Sequence, residues 1–229
     1  VDQSGKNKNG YYNANLFLEL TTGRGYHTGE DWNGNLRKST DYGKPVYPTA
    51  VGKVVKVFDP PLTQKHSWGK TVVIKHLLPN NQTVFSLYSH LSKVSVSLNQ
   101  VVYSHKSLGN IGDANGTYKG AAHLHFELRR VNDWTPASPG YYQTLTVANV
   151  RKYLDPSLFI DDRKGWLIGF GAYAEGLFSS SDEDIQIPNY APASLAFVTK
   201  GGKTFSLSLA IEAGWIDPIA YTRENGTSR

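Results

Sequence analysis

The run GAAHLHFELRR, from Gly120 to Arg130, constrains this chain more than any other stretch, because its pattern is that of one β-strand with two unlike faces. Successive side chains of a strand point to opposite sides of the sheet. One side therefore carries His123, His125 and Glu127, and the other side carries Leu124, Phe126 and Leu128. The pattern predicts a sheet with an apolar core on one side and two neighbouring imidazoles on the other.

Further runs predict that this strand belongs to a mainly β fold built on an antiparallel sheet. Apolar and polar residues alternate from Val51 onward, TVVIKHLL at 71–78 is a second strand, and PNNQ is a turn into TVFSLYSHL. Helices are predicted to be few and short, with VANVRKYL ending before Asp155-Pro156. The glycine-rich TTGRGYHTGEDWNGN, at 21–35, is predicted to be an irregular loop.

The pattern changes from about Gly165, which predicts two parts in this chain of 229 residues. Residues 1–164 would form a β-rich domain with a loose N-terminal arm, and residues 165–229 a small C-terminal extension of unknown role. Within the extension, SLAFVTKGGKTFSLSLAIEAG fits either a hairpin about Gly201-Gly202 or a turn followed by a helix. GFGAYA matches a dinucleotide-binding fingerprint in form, but its context gives nucleotide binding little weight.

Composition excludes several kinds of site and partner. The chain has no cysteine, so a metal site would need His, Asp and Glu side chains. No apolar run is long enough to cross a bilayer. Lys and Arg outnumber Asp and Glu by 24 to 19, a surplus that suits anionic polymers. Nucleic acid is not expected as a partner, because aromatic residues are not interleaved with basic clusters.

Three short patterns hold residues that are suited to a metal-assisted reaction. His27 and Asp31 are spaced H-x-x-x-D within GYHTGEDW, His90 lies in LYSHL, and the HLH pair follows. A catalytic zinc takes three protein ligands and leaves one position for water, and two histidines with one carboxylate are a suitable set. His27, Asp31 and one histidine of the pair supply that set, which leaves the other histidine and His90 for proton transfer. Zinc lowers the pKa of its water to roughly 7, so amide hydrolysis is the natural use.

The order of these patterns, with their flanks, resembles the lysostaphin-type zinc metallopeptidases, the β-lytic family of peptidoglycan endopeptidases. GYHTGEDW resembles the first motif of that family, LYSHL the middle motif and HLHFEL the last, and KPVYPTAVGKVV resembles the segment after the first motif. The resemblance covers about Gly25 to Arg130, with VRKYLDPSLF as a weaker extension. It departs at Ala121-Ala122, where many relatives have a glycine-proline or similar turn.

The resemblance implies a zinc metallopeptidase domain at 1–164 and a role for each site residue. His27, Asp31 and His125 would be the ligands of a Zn²⁺ ion, and His90 and His123 would be the catalytic histidines. The substrate would be a peptide of bacterial peptidoglycan, cut in a stem or cross-link, and anionic wall polymers would be further partners. The implied location is outside the cytoplasm, in the envelope, in the periplasm or outside the cell.

Two other interpretations stay open at the level of the sequence. Some relatives keep the fold, lose ligands and activate other wall hydrolases, so a binding or regulatory module is the alternative to an enzyme. The presence of all five site positions favours an enzyme, because unused buried polar groups are costly to keep. An intact site that is closed by residues 1–20 or by the C-terminal segment is the other interpretation.

The remaining polar and aromatic residues are expected to have structural roles or a place in a groove. As a strand, TVFSLYSHL would put His90 on the same face as Ser86 and Tyr88. The DANG run at 113–116 lacks the further ligands of an EF-hand loop and is predicted to be a turn. Structural or exposed roles are predicted for His66, His76 and His105. Candidates for lining a substrate groove, with packing as the alternative, are Tyr26, Trp32 and Tyr88.

Overall fold

The computed structural model describes most of the chain, namely residues 11–34, 41–64, 66–78, 82–104, 106–163, 167–174, 190–198, 204–212 and 218. The predicted N-terminal arm, at residues 1–10, and His105 lie outside these residues. The predicted domain boundary at residue 164 also lies outside them and stays a prediction.

The described residues are mainly strands. These are β1 Tyr11–Asn15, β2 Leu20–Thr21, β3 Gly25–His27, β4 Glu30–Gly34, β5 Pro45–Val46, β6 Gly52–Phe58, β7 Lys70–Leu77, β8 Thr83–Val94, β9 Val101–Val102, β10 Gly109–Ile111, β11 Leu124–Arg129, β12 Tyr141–Tyr142, β13 Tyr153–Leu154, β14 Leu167–Ala174, β15 Tyr190–Val198 and β16 Thr204–Glu212. Two short helices are α1 Val147–Val150 and α2 Pro156–Asp161. Neither helix of the described residues has the length that a bilayer crossing requires. The predicted mainly β fold is confirmed.

One large sheet organises the molecule. Its strand order is β1-β4-β11-β8-β7-β6-β9, and β5, β10 and β13 attach beside this path. Its named pairings are antiparallel, and the strand of the HLH pair, β11, lies between β4 and β8. His125 is opposite Asp31 on one neighbour and opposite Ser89 on the other. The sheet therefore brings three separate segments of the sequence to one place.

The predicted alternation of faces in β11 is present in the structure. Leu124, Phe126 and Leu128 are fully buried in the main hydrophobic core. Burying side chains of this size contributes roughly 1.5–3 kcal/mol each, so the apolar face fixes the strand's register. The opposite face of the sheet carries His125 and a smaller apolar cluster. That cluster consists of Trp68, Val73, Phe85, Leu87 and Trp134.

The described part of the glycine-rich run, residues 21–34, is not an irregular loop, contrary to the prediction. It forms β3 and β4, which are joined by Thr28 and Gly29 alone. β3 pairs with β2 and with β12, a strand more than a hundred residues later. Gly25 has φ of +102°, and a Cβ there would lie 2.4 Å from the carbonyl oxygen of Tyr142. Glycine permits this close approach, and the local sequence gives no sign of the partner strand.

The segment 147–161 also differs from the prediction of one helix that ends before Asp155-Pro156. α1 covers only Val147–Val150, and a second helix, α2, begins at Pro156. Asp155 caps this helix, because its Oδ1 accepts a hydrogen bond of 2.9 Å from the backbone N–H of Leu158. Proline is tolerated in the first turn of a helix, where its missing N–H has no partner to lose. Asp155-Pro156 is therefore the start of a helix.

The C-terminal part contains a separate three-stranded sheet of order β14-β16-β15. β15 and β16 pair up to Val198 and Thr204, which agrees with the hairpin interpretation and not with the helix. The residues of its turn, 199–203, lie outside the described ones. GFGAYA lies inside β14, without the strand-to-helix turn that dinucleotide binding requires. Beyond the hairpin, the buried Pro218 accepts a hydrogen bond of 2.7 Å from the backbone N–H of Tyr47.

Candidate active site and metal centre

His27, Asp31 and His125 converge on one point between three strands. His27 ends β3, Asp31 lies in β4, and His125 lies in β11. Asp31 Oδ1 is 3.4 Å from His27 Nε2 and 2.9 Å from His125 Nδ1. The two imidazole nitrogens are 3.1 Å apart. Two ring nitrogens and one carboxylate oxygen thus form a compact triangle of donor atoms.

This triangle fits a zinc ion. Zinc binds histidine nitrogen and carboxylate oxygen at about 2.0–2.2 Å in tetrahedral geometry, which places neighbouring ligand atoms about 3.3 Å apart. The three separations, from 2.9 to 3.4 Å, lie close to that value. All three side chains are buried, so water competes little for the donor atoms.

The electrostatics of the triangle favour a cation. Burial alone would raise the pKa of Asp31, but hydrogen bonds with His125 and His27 outweigh burial and hold that pKa well below its ordinary value. Burial disfavours charge on His125, yet hydrogen bonds to Asp31 and Glu127 raise its pKa to about 9. The carboxylate and the imidazole each stabilise the charged form of the other, so Asp31 stays an anion at the point where a cation would bind.

The partners of each side chain fix its orientation. The other carboxylate oxygen of Asp31 accepts a hydrogen bond of 2.8 Å from Asn15 Nδ2. His125 Nε2 is 3.0 Å from Glu127 Oε1, so this nitrogen donates to the carboxylate, and Nδ1 is the ring atom that would give up its proton to bind a metal ion. The ring of His27 stacks on Tyr141, with centroids 4.8 Å apart.

His90 does not lie on the face that strict alternation predicts. Tyr88 pairs with Val72 and Leu91 with Lys70, so β8 has one more residue than β7 between these pairs. His90 has φ of 64°, a left-handed conformation that is uncommon for histidine. Tyr88 and Leu91 are both in the main core. The bulge therefore turns His90 to the opposite face, toward the triangle of donor atoms (here called the metal triangle). The prediction that His90 shares a face with Tyr88 is wrong.

Two backbone carbonyls hold the rings of His90 and His123 in matching orientations. The carbonyl oxygen of Trp68 lies 3.2 Å from His90 Nδ1, and that of Ala121 lies 2.8 Å from His123 Nδ1. A carbonyl oxygen can only accept, so both Nδ1 atoms donate to it and the Nε2 atom of each ring is directed elsewhere. His123 Nε2 is 3.8 Å from Asp31 Oδ1, and the two rings are 4.6 Å apart.

The environment of His90 keeps its imidazole neutral. Burial, together with the neighbouring His123 and His125, lowers the pKa of His90 well below its ordinary value. A neutral imidazole with a free Nε2 can accept a proton at neutral pH. His90 is thus suited to act as a base beside the metal triangle.

A groove of about 510 Å³ opens above these five residues. Its walls include Trp68, Tyr118 and Tyr141, which the sequence reasoning did not single out. Tyr118 contacts the rings of both His90 and His123. No local pattern marks these aromatic residues, because they come from loops and from β12, which only the fold brings together. The predicted lining residues, Tyr26, Trp32 and Tyr88, are not in the groove walls.

Two histidines outside the site, His66 and His76, have the structural roles that were predicted, and so does the DANG run at 113–116. His76 is fully buried, and its two ring nitrogens contact the carbonyl oxygen of Val51 and the hydroxyl of Ser86. His66 packs on Phe58 away from the metal triangle. The DANG run is a turn.

Comparisons with known proteins identify one matching family and several similar solved structures. A model of Peptidase family M23 matches residues 25–139, half of the chain. The catalytic domain of the antimicrobial peptidase lysostaphin from Staphylococcus simulans is 21% identical, with 69% of this chain and 96% of that domain covered and a TM-score of 0.43. LytU is 22% identical, with 68% and 87% covered and a TM-score of 0.43. A zinc containing peptidase from Vibrio cholerae is 27% identical, with 53% and 32% covered and a TM-score of 0.36. No curated protein sequence matches this chain significantly.

Proposed function

Because the chain belongs to peptidase family M23, we propose that it is a zinc-dependent endopeptidase that hydrolyses peptide bonds in bacterial peptidoglycan stems or cross-links. We place this activity in residues 1–164, and we propose that the protein is exported and acts in the envelope, in the periplasm or outside the cell. Anionic wall polymers are proposed as further contacts, in keeping with the formal net charge of +5.

The single observation that carries the proposal is the triangle of His27, Asp31 and His125. Its donor atoms lie within 3.4 Å of one another, and its buried carboxylate is held in the ionised form. These three residues would hold the zinc ion. When bound there, zinc supplies a Lewis acid that polarises a carbonyl and activates water near neutral pH.

His90 and His123 are proposed to move protons and to stabilise developing charge. Neutral Nε2 of His90 accepts a proton from the attacking water, since burial keeps this ring uncharged. His123, whose ring centroid is 4.6 Å from that of His90, presents a second Nε2 at 3.8 Å from Asp31 Oδ1. Once protonated, such a nitrogen donates to the carbonyl oxygen as it gains negative charge, or delivers a proton to the leaving amine.

The groove is suited to a peptide substrate. Trp68, Tyr118 and Tyr141 offer apolar faces with polar edges, which pack along a peptide backbone and exclude water from the reacting bond. Arg24 lies at one wall, 5.8 Å from the ring of Tyr141. The presence of all five site residues at this one groove supports an enzyme over a regulatory module that has lost its ligands.

The proposal is tested by zinc content and by hydrolysis on the same preparation. Elemental analysis of the purified chain should give about one zinc per chain. Incubation with purified peptidoglycan should release new amino groups, a chelator should stop the release, and added zinc should restore it. Zinc binding without release would overturn the endopeptidase assignment in favour of a regulatory module. Failure to bind zinc would overturn the metal site itself.

A further inference from the structure

Glu127 is a buried carboxylate directly behind the proposed metal ligand His125. It lies two residues further along β11, so both side chains are on the same face of the sheet. Its Oε1 is 3.0 Å from His125 Nε2, and the side chain has no exposed surface. A carboxylate in this position accepts a hydrogen bond from Nε2–H. Nδ1 is then the only ring nitrogen that can bind a metal ion.

The same carboxylate also contacts the segment that joins the other two proposed ligands. Thr28, between β3 and β4, donates its hydroxyl proton to Glu127 Oε1 over 2.5 Å. Gly29 allows this contact, because a Cβ at that position would lie 2.3 Å from the carbonyl oxygen of Phe126 and 2.7 Å from Glu127 Cγ. One buried carboxylate thus ties the strand of His125 to the connection between His27 and Asp31.

Behind Glu127, alternating charges lead to the surface. Glu127 Oε2 accepts a hydrogen bond of 2.6 Å from Arg129 Nε, and Arg129 Nη1 donates to Asp133 Oδ1 over 2.9 Å. Asp133 is 2.8 Å from Lys152 Nζ, and both are partly exposed. Burying the charged Glu127 without a partner would be unfavourable in free energy. The paired guanidinium of Arg129 compensates for this loss. Glu127 can therefore stay ionised where it accepts from His125.

From these contacts we propose that Glu127 is the positioning residue of the metal centre. This inference rests on the proposed zinc site. Glu127 holds His125 in the tautomer and ring orientation that present Nδ1 to the metal ion, and through Thr28 it sets the distance between β11 and the His27–Asp31 segment. His27 has no equivalent, because its Nδ1 has no hydrogen-bond partner within the part of the chain that the structure describes.

The test compares zinc affinity in Glu127→Gln with that in Asp133→Asn. Both changes remove one negative charge from the same chain of ion pairs, but only the first touches His125. Competition with a chromogenic chelator should give a zinc dissociation constant about 10–100-fold weaker for Glu127→Gln, as for other partners of zinc-bound histidines. Asp133→Asn should stay within about threefold of the unchanged protein. Equal weakening in both variants would overturn the proposal.

A second readout separates positioning from general stabilisation. In ¹⁵N-labelled, zinc-loaded protein, the Nε2 proton of His125 should be observable by NMR and protected from exchange, and Glu127→Gln should lose this protection. If Glu127→Gln fails to fold, zinc binding by Thr28→Val tests the proposal instead. This change removes one contact of the Glu127 carboxylate without any change of charge. Zinc binding several-fold weaker in Thr28→Val supports the proposal, and unchanged binding overturns it. If the unchanged protein binds no zinc, the proposed function fails first, and that outcome is distinct from these.

Discussion

His90 reaches its position at the candidate site only in an unfavourable backbone conformation. A left-handed conformation costs a non-glycine residue roughly 1–2 kcal/mol. Here the carbonyl oxygen of Trp68 accepts from both the backbone N–H and Nδ1 of His90, at 2.9 and 3.2 Å, which offsets the cost. The result is an imidazole on the groove side of a strand whose neighbouring residues, Tyr88 and Leu91, face the core. Strain of this kind is typical of functional sites.

At the residue scale, the proposed roles predict different losses for a ligand and for a proton carrier. Asp31→Asn should lose both zinc and hydrolysis, because it removes the charged donor of the triangle. His123→Ala should keep zinc and lose about 10²–10⁴-fold in hydrolysis rate, the usual contribution of general acid–base catalysis. Zinc content and amino-group release are measured on each variant. Asp59→Asn, a half-exposed carboxylate paired with Lys70, is the control and should keep both. Equal zinc loss in Asp31→Asn and His123→Ala would contradict the division of roles.

At the candidate site, strand geometry predicts which side chains share a face, and the family resemblance indicates which of them would bind zinc. The face shared by His125 and Glu127 follows from strand alternation, which short sequences specify well. The turn of His90 toward the groove could not be predicted, since a bulge depends on the pairing of β8 with β7. The aromatic walls at Tyr118 and Tyr141 also require the complete fold.

At the element scale, the link between residue 66 and β7 is shaped by one close contact. Gly69 has φ of +58°, and a Cβ there would lie 2.6 Å from the Cα of Ala114. Gly69 follows Trp68, whose carbonyl holds His90. The packing of this link against the turn around Ala114 therefore supports the position of a proposed catalytic ring.

Gly69→Ala is accordingly expected to destabilise the fold more than a matched glycine change. Gly43 also has a left-handed φ, +79°, but a Cβ there would meet nothing within 4 Å. Gly43→Ala should cost about 1 kcal/mol in free energy of unfolding for the backbone conformation alone. Gly69→Ala should cost a further 1–3 kcal/mol or so, because a backbone atom has to move. Urea denaturation of both variants measures the difference in free energy of unfolding. Equal losses in the two variants would show that the backbone at Ala114 moves aside without a cost in free energy.

The long elements were predictable from the sequence and the short ones were not. β7, β8 and β11 have many alternating apolar residues, so their identity does not depend on distant partners. β3 has three residues and exists because β2 and β12 pair with it. Local glycines suggested a loop at that place, and tertiary pairing overrode them.

At the scale of the whole molecule, stability should depend on pH through His76. Burial, opposed by the hydrogen bond to Val51, lowers the pKa of His76 to about 4, whereas an exposed histidine titrates near 6.5. Between these values the unfolded chain binds a proton that the folded protein does not, so the free energy of unfolding falls as pH falls from about 6.5 to about 4. The loss from this group should approach about 3 kcal/mol.

The measurement is the urea midpoint between pH 7 and pH 4, for the unchanged protein and for His76→Gln. At pH 7 the variant should be the less stable protein, because a fully buried ring is replaced. The gap should narrow steadily below pH 6.5, since glutamine does not titrate. A gap that is independent of pH would mean that His76 takes up its proton without unfolding.

The hydrogen bond between Tyr47 and Pro218 is a second attachment of the C-terminal residues to the rest of the molecule. Pro218 meets the main domain again after the hairpin of β15 and β16. Along the chain, the sheet of β14, β15 and β16 therefore lies between α2 and this second contact with the main domain. For chain between two fixed contacts, the entropic cost of closure grows only slowly with its length. The number of residues between the two contacts can consequently vary at little entropic cost while both contacts stay in place.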